Sequence, residues 1–145
     1  MLLPKRTKYK KQQKKKLTNF FASSTNNING KNNLHFGDFG IIAKTSGRLT
    51  SRQIEATRIA IKRKIKPNGK LWINIFPSVP ISGKPTQIRM GKGKGFTQYW
   101  VAKVSIGMVL FEISNIIETT AFKALRSGIN KLPISCSIIQ RKHYV

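Results

Sequence analysis

The stretch TSRQIEATRIAIKRKIKPNG, residues 50–69, sets the frame for the rest of the chain. Thr50 suits a helix N-cap, and Gln53 stands three residues on, as in a capping box. Ile54, Thr57, Ile61 and Ile65 recur at helical spacing and predict one buried face. Arg52, Arg58, Lys62, Arg63 and Lys66 spread over the other side, with Ile59 among them and Glu55 the one acid. Pro67, Asn68 and Gly69 stop the helix. The spacing predicts a helix over 50–66.

Outward from this helix the pattern alternates between types. Residues 36–45 predict a strand, with Gly37 and Gly40 marking a bend or bulge. Residues 71–76 predict another, and 77–97 a long loop rich in Pro and Gly; loops of that length in a compact domain are usually functional. Residues 98–105 and 108–113 predict a hairpin turned at Ile106-Gly107. A second helix is expected over 115–131, broken late by Gly128, then a last strand over 134–139. Strand, helix, strand, hairpin, helix, strand predicts an α+β domain, a mixed or antiparallel sheet with two helices. The organisation expected is a basic arm at 1–17, an Asn-, Ser- and Thr-rich linker at 18–34 and one folded domain at 35–145.

Charge narrows the partner. The 145 residues hold 28 Lys and Arg against 4 acids, a net charge of +24. Such a chain repels itself until a polyanion neutralises it, and nucleic acid is the commonest one. A membrane surface is the weaker option, since no apolar run approaches the ~20 residues of a spanning helix. The first 16 residues alone carry eight positive charges and no negative one. Lys5, Arg6, Lys8, Lys10, Lys11, Lys14, Lys15 and Lys16, with Tyr9 among them, read as an arm that orders on RNA. A targeting peptide is the rival reading, but the stretch is Lys-rich and lacks a regular apolar face.

The second basic element is Arg89-Met90-Gly91-Lys92-Gly93-Lys94-Gly95. Glycines let the backbone approach a phosphate and expose its N–H groups, while Lys92 and Lys94 neutralise it. Arg89 can grip a phosphate or a guanine edge bidentately. A P-loop would need Ser or Thr after Gly-Lys and then a helix, and a dinucleotide fingerprint also needs that helix. Gly95-Phe96 and a predicted strand follow instead. Lys84, at the start of this loop, and Arg48 and Lys70, flanking the first helix, complete the set expected to contact RNA with Arg52, Arg58, Lys62 and Arg63. Phe96, Tyr99 and Trp100 offer stacking faces, with Trp100 the better candidate for the core. Asp38, Glu55, Glu112 and Glu118 are isolated, and His35, His143 and Cys136 lack metal-ligand spacing. No enzyme, metal or cofactor is expected, and lone Cys136 reads as a buried inert thiol.

Several separate segments resemble one family in order. MLLPKRTKYKK at 1–11, GRLTSRQIEATRIAIKR at 47–63, NGKLWINIFPSVPISGKPTQIRMGKGKG at 68–95, YWVAKVSIGMVLFEIS at 99–114 and Lys-Leu-Pro at 131–133 resemble large-subunit ribosomal protein L-sixteen of bacteria and organelles. The resemblance covers nearly all of the chain except about 18–34. It implies a single α/β-hammerhead-type domain that binds large-subunit ribosomal RNA near the A site and the peptidyl-transferase region. There it helps to position tRNA beside neighbouring large-subunit proteins, and it is not a homo-oligomer. It also implies that the loop bearing Arg89 points toward that region, and that Arg89 matches a position hydroxylated in some bacteria. The segment 12–34 is longer and less Arg/Gly-rich than the family pattern, and 115–131 departs from it in residue type. A family-like start at Met1 and abundant Lys, Ile and Asn, residues of AT-rich codons, point to an organelle-encoded protein of the mitochondrial ribosome. A plastid and a bacterial cytoplasm are the alternatives. A nucleoid-type DNA-binding protein shares the charge but has no use for a long Gly-rich loop.

Overall fold

A computed structural model describes residues 2–14, 34–65 and 67–141. Residues 18–33 of the linker expected at 18–34, with Lys15, Lys16, Lys66 and His143, lie outside the described residues, while Leu34 at its end is buried. Among the described residues, seven strands and two helices follow the order β1 (Phe39–Ala43), β2 (Gly47–Thr50), α1 (Ser51–Ile65), β3 (Lys70–Ile73), β4 (Val79–Gly83), β5 (Phe96–Val104), β6 (Val109–Ser114), α2 (Glu118–Ile129) and β7 (Cys136–Gln140). The fold is α+β, and its strands divide into two sheets. One has the order β3-β6-β1-β7 and the other β2-β5-β4. All pairings are antiparallel.

The helix at the centre of the sequence forms as its spacing predicts. The Gln53 N–H donates to Thr50 Oγ1 at 3.3 Å and the Thr50 N–H to Gln53 Oε1 at 2.9 Å, a reciprocal capping box. Ile54, Thr57, Ile61 and Ile65 are all buried. They meet Ala121, Ala124 and Leu125 of α2 and Ile41, Leu110, Phe111 and Ile113 of the larger sheet. Leu49, Ala102 and Val104 of the smaller sheet join the same core, so both sheets share one interior.

Four expectations are corrected. The predicted hairpin does not exist: β5 pairs with β2 and β4, while β6 pairs with β1 and β3. The Ile106-Gly107 turn carries the chain from one sheet to the other, and its Gly107 N–H bonds to Ala43 across that step at 2.8 Å. Two strands were hidden. β2 is only four residues and runs straight into the helix cap, while β4 lies within the supposed loop at 77–97 and contains Pro80. Proline is tolerated there because β4 is an edge strand. The loop is therefore 84–95. Gly128 does not break α2 but sits inside it, buried, where a side chain would meet Ile61 of α1; the absent side chain lets the two helices close. Finally, Trp100 is half-buried and lies outside the core, because the first five residues of β5 run beyond it and only Val101, Ala102 and Val104 turn inward.

Glu112 is the outlier in this core. It is fully buried on β6. Its carboxylate accepts N–H bonds from Phe36 at 2.7 Å and Gly37 at 2.8 Å, and a third from the Asn74 side-chain amide. A buried charge survives only with such partners. Here they fasten residues 36–37 to the sheet, which is why the first strand begins at Phe39 rather than Phe36.

Candidate nucleic-acid interface

The loop leaves β4 at Gly83 and returns at Phe96, which pair with each other across the two strands. Beyond that rung no strand partner holds it, and shape comes from local backbone. Gly91, Lys92 and Gly93 adopt φ of +92°, +53° and +90° in succession. The left-handed region disfavours side chains, which is why glycines flank the lysine. The Lys84 ammonium donates to the Gly91 carbonyl and folds the loop back on its own root. Arg89, Met90, Lys92 and Lys94 are exposed, Met90 almost completely at 99%.

The arm does not stand apart from this loop. Leu2 packs against the core, and residues 10–12 run along the loop's return. The Lys11 ammonium donates to the Lys94 carbonyl at 2.7 Å, and the Lys94 ammonium donates back to the Gln12 carbonyl. The Thr97 hydroxyl donates to the Lys10 carbonyl. Lys11 also lies over the Phe96 ring, 5.4 Å from its centroid. Phe96, offered by sequence as a stacking face, thus serves partly as the arm's seat. Lys5, Arg6, Lys8, Tyr9, Lys10 and Lys14 remain exposed along the arm. Arm and loop form one cationic surface from segments more than 80 positions apart.

The basic residues of the first helix are not equivalent. Arg52, Lys62 and Arg63 are exposed on α1, as is Lys70 at the start of β3. Arg58 is bound to Glu55, Nη2 to Oε1 at 2.6 Å. That hydrogen bond holds the Glu55 carboxyl below its ordinary range, with the Arg58 charge adding to it. Arg58 therefore brings no net charge of its own to a partner. Arg48, half-buried on β2, pairs in register with Lys103 of β5. Sequence reading missed the contact that this helix side shares with aromatics: Trp72 of β3 lies beside Arg58 and Lys62, and Phe36 stacks on Trp72. Cys136 is half-buried and its thiol is pushed up to about 11 by burial, so it is a poor nucleophile near neutral pH.

The Gly-rich loop leads into strand β5, so the helix a nucleotide-phosphate site would use is absent at that position. Among the described residues no group of His, Cys, Asp and Glu is placed to hold a metal ion. No helix among them is long and apolar enough to cross a membrane.

Residues 4–139 match the family model described as ribosomal protein L16p/L10e. The large ribosomal subunit protein uL16 of Dichelobacter nodosus is 48% identical over 142 residues, covering 98% of this chain and 98% of that protein. That of Cereibacter sphaeroides is 46% identical over 144 residues, 99% of this chain and 100% of the relative. That of Bartonella quintana is 46% identical over 141 residues, 97% and 98%. These relatives come from bacteria, and the mitochondrial assignment expected from composition gains no support from them.

Proposed function

The chain belongs to the ribosomal protein L16p/L10e family, and from that premise we propose that its arm and loop act as one clamp on large-subunit ribosomal RNA beside the site that receives aminoacyl-tRNA. It is a structural constituent of the large ribosomal subunit, and its family role is not enzymatic. The observation that carries the proposal is the paired bonding of Lys11 to the Lys94 carbonyl and of Lys94 to the Gln12 carbonyl, which gathers the basic arm and the Gly-rich loop into one surface.

The chemistry of that surface suits phosphates. Lys5, Arg6, Lys8, Lys10 and Lys14 of the arm and Lys92 and Lys94 of the loop supply exposed ammonium and guanidinium donors. The left-handed turn at 91–93 offers backbone N–H groups between them. Arg89 and Met90, both exposed on the loop, are the residues assigned to the tRNA-facing side. Arg48, Arg52, Lys62, Arg63 and Lys70 add contacts on the helix side, with Arg58 contributing hydrogen bonds rather than net charge. Placement near the A site is supported by the family resemblance of the loop. The relatives' bacterial origin supports a bacterial-type subunit; a mitochondrial home has no support from them.

Sedimentation of a lysate tests the assignment. The chain should travel with large subunits and whole ribosomes, and crosslink to their RNA through residues 5–14 and 89–94. Recovery in the free pool, or crosslinks to DNA in its place, would overturn it.

A further inference from the structure

A second surface lies away from the clamp. The loop hangs from the three-stranded sheet, whereas α1 and edge strand β3 of the four-stranded sheet enclose a groove of about 350 Å3. Arg58, Lys62, Lys70 and Trp72 line it. No acid other than Glu55, already bound to Arg58, stands beside these cations on α1. Arg58 gives Nε and Nη2 to Glu55, which leaves Nη1 of its five-donor fork for another acceptor.

Trp72 lines the groove, and Phe36 extends its aromatic face beyond the groove's edge. The rings of Phe36 and Trp72 are near parallel, 20° apart with centroids 6.2 Å apart, an offset stack. Phe36 is 61% exposed. This exposure is not looseness. The Phe36 N–H is held at 2.7 Å by the buried Glu112 carboxylate, and the Gly37 N–H beside it at 2.8 Å. Trp72 is in register with Glu112 on the neighbouring strand. The chain thus keeps a charged group in its core whose bonds fix the backbone that presents a large flat ring to solvent.

We propose that Phe36, Trp72 and the adjoining Arg58–Lys62–Lys70 groove form a separate binding site for an unpaired RNA nucleotide, the base stacking on the rings and the phosphates lying on Lys62 and Lys70, with Arg58 donating a hydrogen bond. Duplex RNA offers its phosphates but not its base faces, so a rigid ring pair gains nothing from it. An unstacked base offers both. The proposal rests on the reading of the chain as an RNA binder, but uses different residues from the clamp.

The test uses the full chain with Trp100→Phe, which leaves Trp72 as its one indole. The probes are a short single-stranded oligoadenylate and an RNA duplex of equal length. Oligoadenylate should quench Trp72 emission saturably. Phe36→Ala should weaken oligoadenylate binding by at least about 5-fold, the low end for one lost base stack, and leave duplex binding unchanged. Phe36→Leu, which keeps apolar bulk without the flat face, should show the same loss and guards against a folding defect in the first variant. Oligoadenylate binding with unchanged Trp72 emission, or at full strength in both Phe36 variants, overturns this site and leaves the clamp standing. Failure to bind either RNA overturns both.

Discussion

Removing the Glu112 carboxylate should cost more stability than any exposed substitution in this protein. Three donors converge on it, two of them backbone N–H groups. In Glu112→Ala the buried Gly37 donor loses its acceptor, the half-buried Asn74 amide is only partly recovered by water, and Phe36, at the surface, recovers water. Each stranded buried donor costs about 1–3 kcal/mol, so the loss is about 3–5 kcal/mol with the cavity included. Glu112→Gln keeps the shape and one acceptor oxygen. Asn74 can turn its amide to meet the new NH2, so that variant should lose only about 1 kcal/mol. The pH dependence separates the two effects. Burial pushes the Glu112 carboxyl up, but the Gly37 and Phe36 N–H groups, with Asn74 and His35, outweigh it and hold the group below its ordinary value. A folded pKa below the unfolded one, about 4.3, means that the unfolded chain takes the proton first. The ionised group therefore stabilises the fold above that value, and the stability is lost as pH falls through the folded value. With only four acidic side chains in the sequence the acid background is small. Urea unfolding midpoints measured from about pH 7 down to pH 3 should show the gap between the native chain and Glu112→Gln closing on acidification. Parallel curves, or a Glu112→Ala variant within about 0.5 kcal/mol of the native chain, would refute the reasoning.

Deleting residues 1–14 should lower RNA affinity and flatten its dependence on salt, because each lost phosphate contact removes about 0.7–0.9 from the log–log slope; an unchanged slope would take the arm off RNA. Arg89→Ala should impair translation in a reconstituted large subunit while shifting unfolding by no more than about 0.5 kcal/mol, as expected of an exposed loop residue; a large thermal loss would contradict its position outside the core. Thr50→Ala removes one half of the capping box and should cost about 1 kcal/mol, read as a drop of a few degrees in the melting temperature.

The helix α1 could be read from sequence because each of its signals is local: a cap, a stop and an apolar spacing that all agree. The strands were harder because pairing is not local. β2 is too short to show alternation, and Pro80 disguises β4 unless its edge position is known. The misread hairpin is the most instructive case. Two apolar runs around a two-residue turn normally pair with each other, but here the β5 edge is taken by β2 and β4. The basic arm and loop were both visible as compositions. Their union was not, since Lys11 and Lys94 meet through carbonyl bonds that leave no periodicity in the chain. Nor was the Phe36–Trp72 pair, because Phe36 read as part of a strand until the Glu112 anchor showed why it is not.

The rung at which Gly83 pairs with Phe96 has a bearing on how this protein can change over time. The segment between them departs and returns at one point, so the scaffold is indifferent to how much chain it contains. Doubling such a loop adds only about 0.6 kcal/mol of closure entropy. Pairing of the two strands therefore sets little limit on the length of 85–94. Whatever fixes the number of residues there must come from outside the domain, from the space available between this chain and its neighbours. Insertions and deletions across that segment would act as a ruler for that space, with protein stability as the control that should not move.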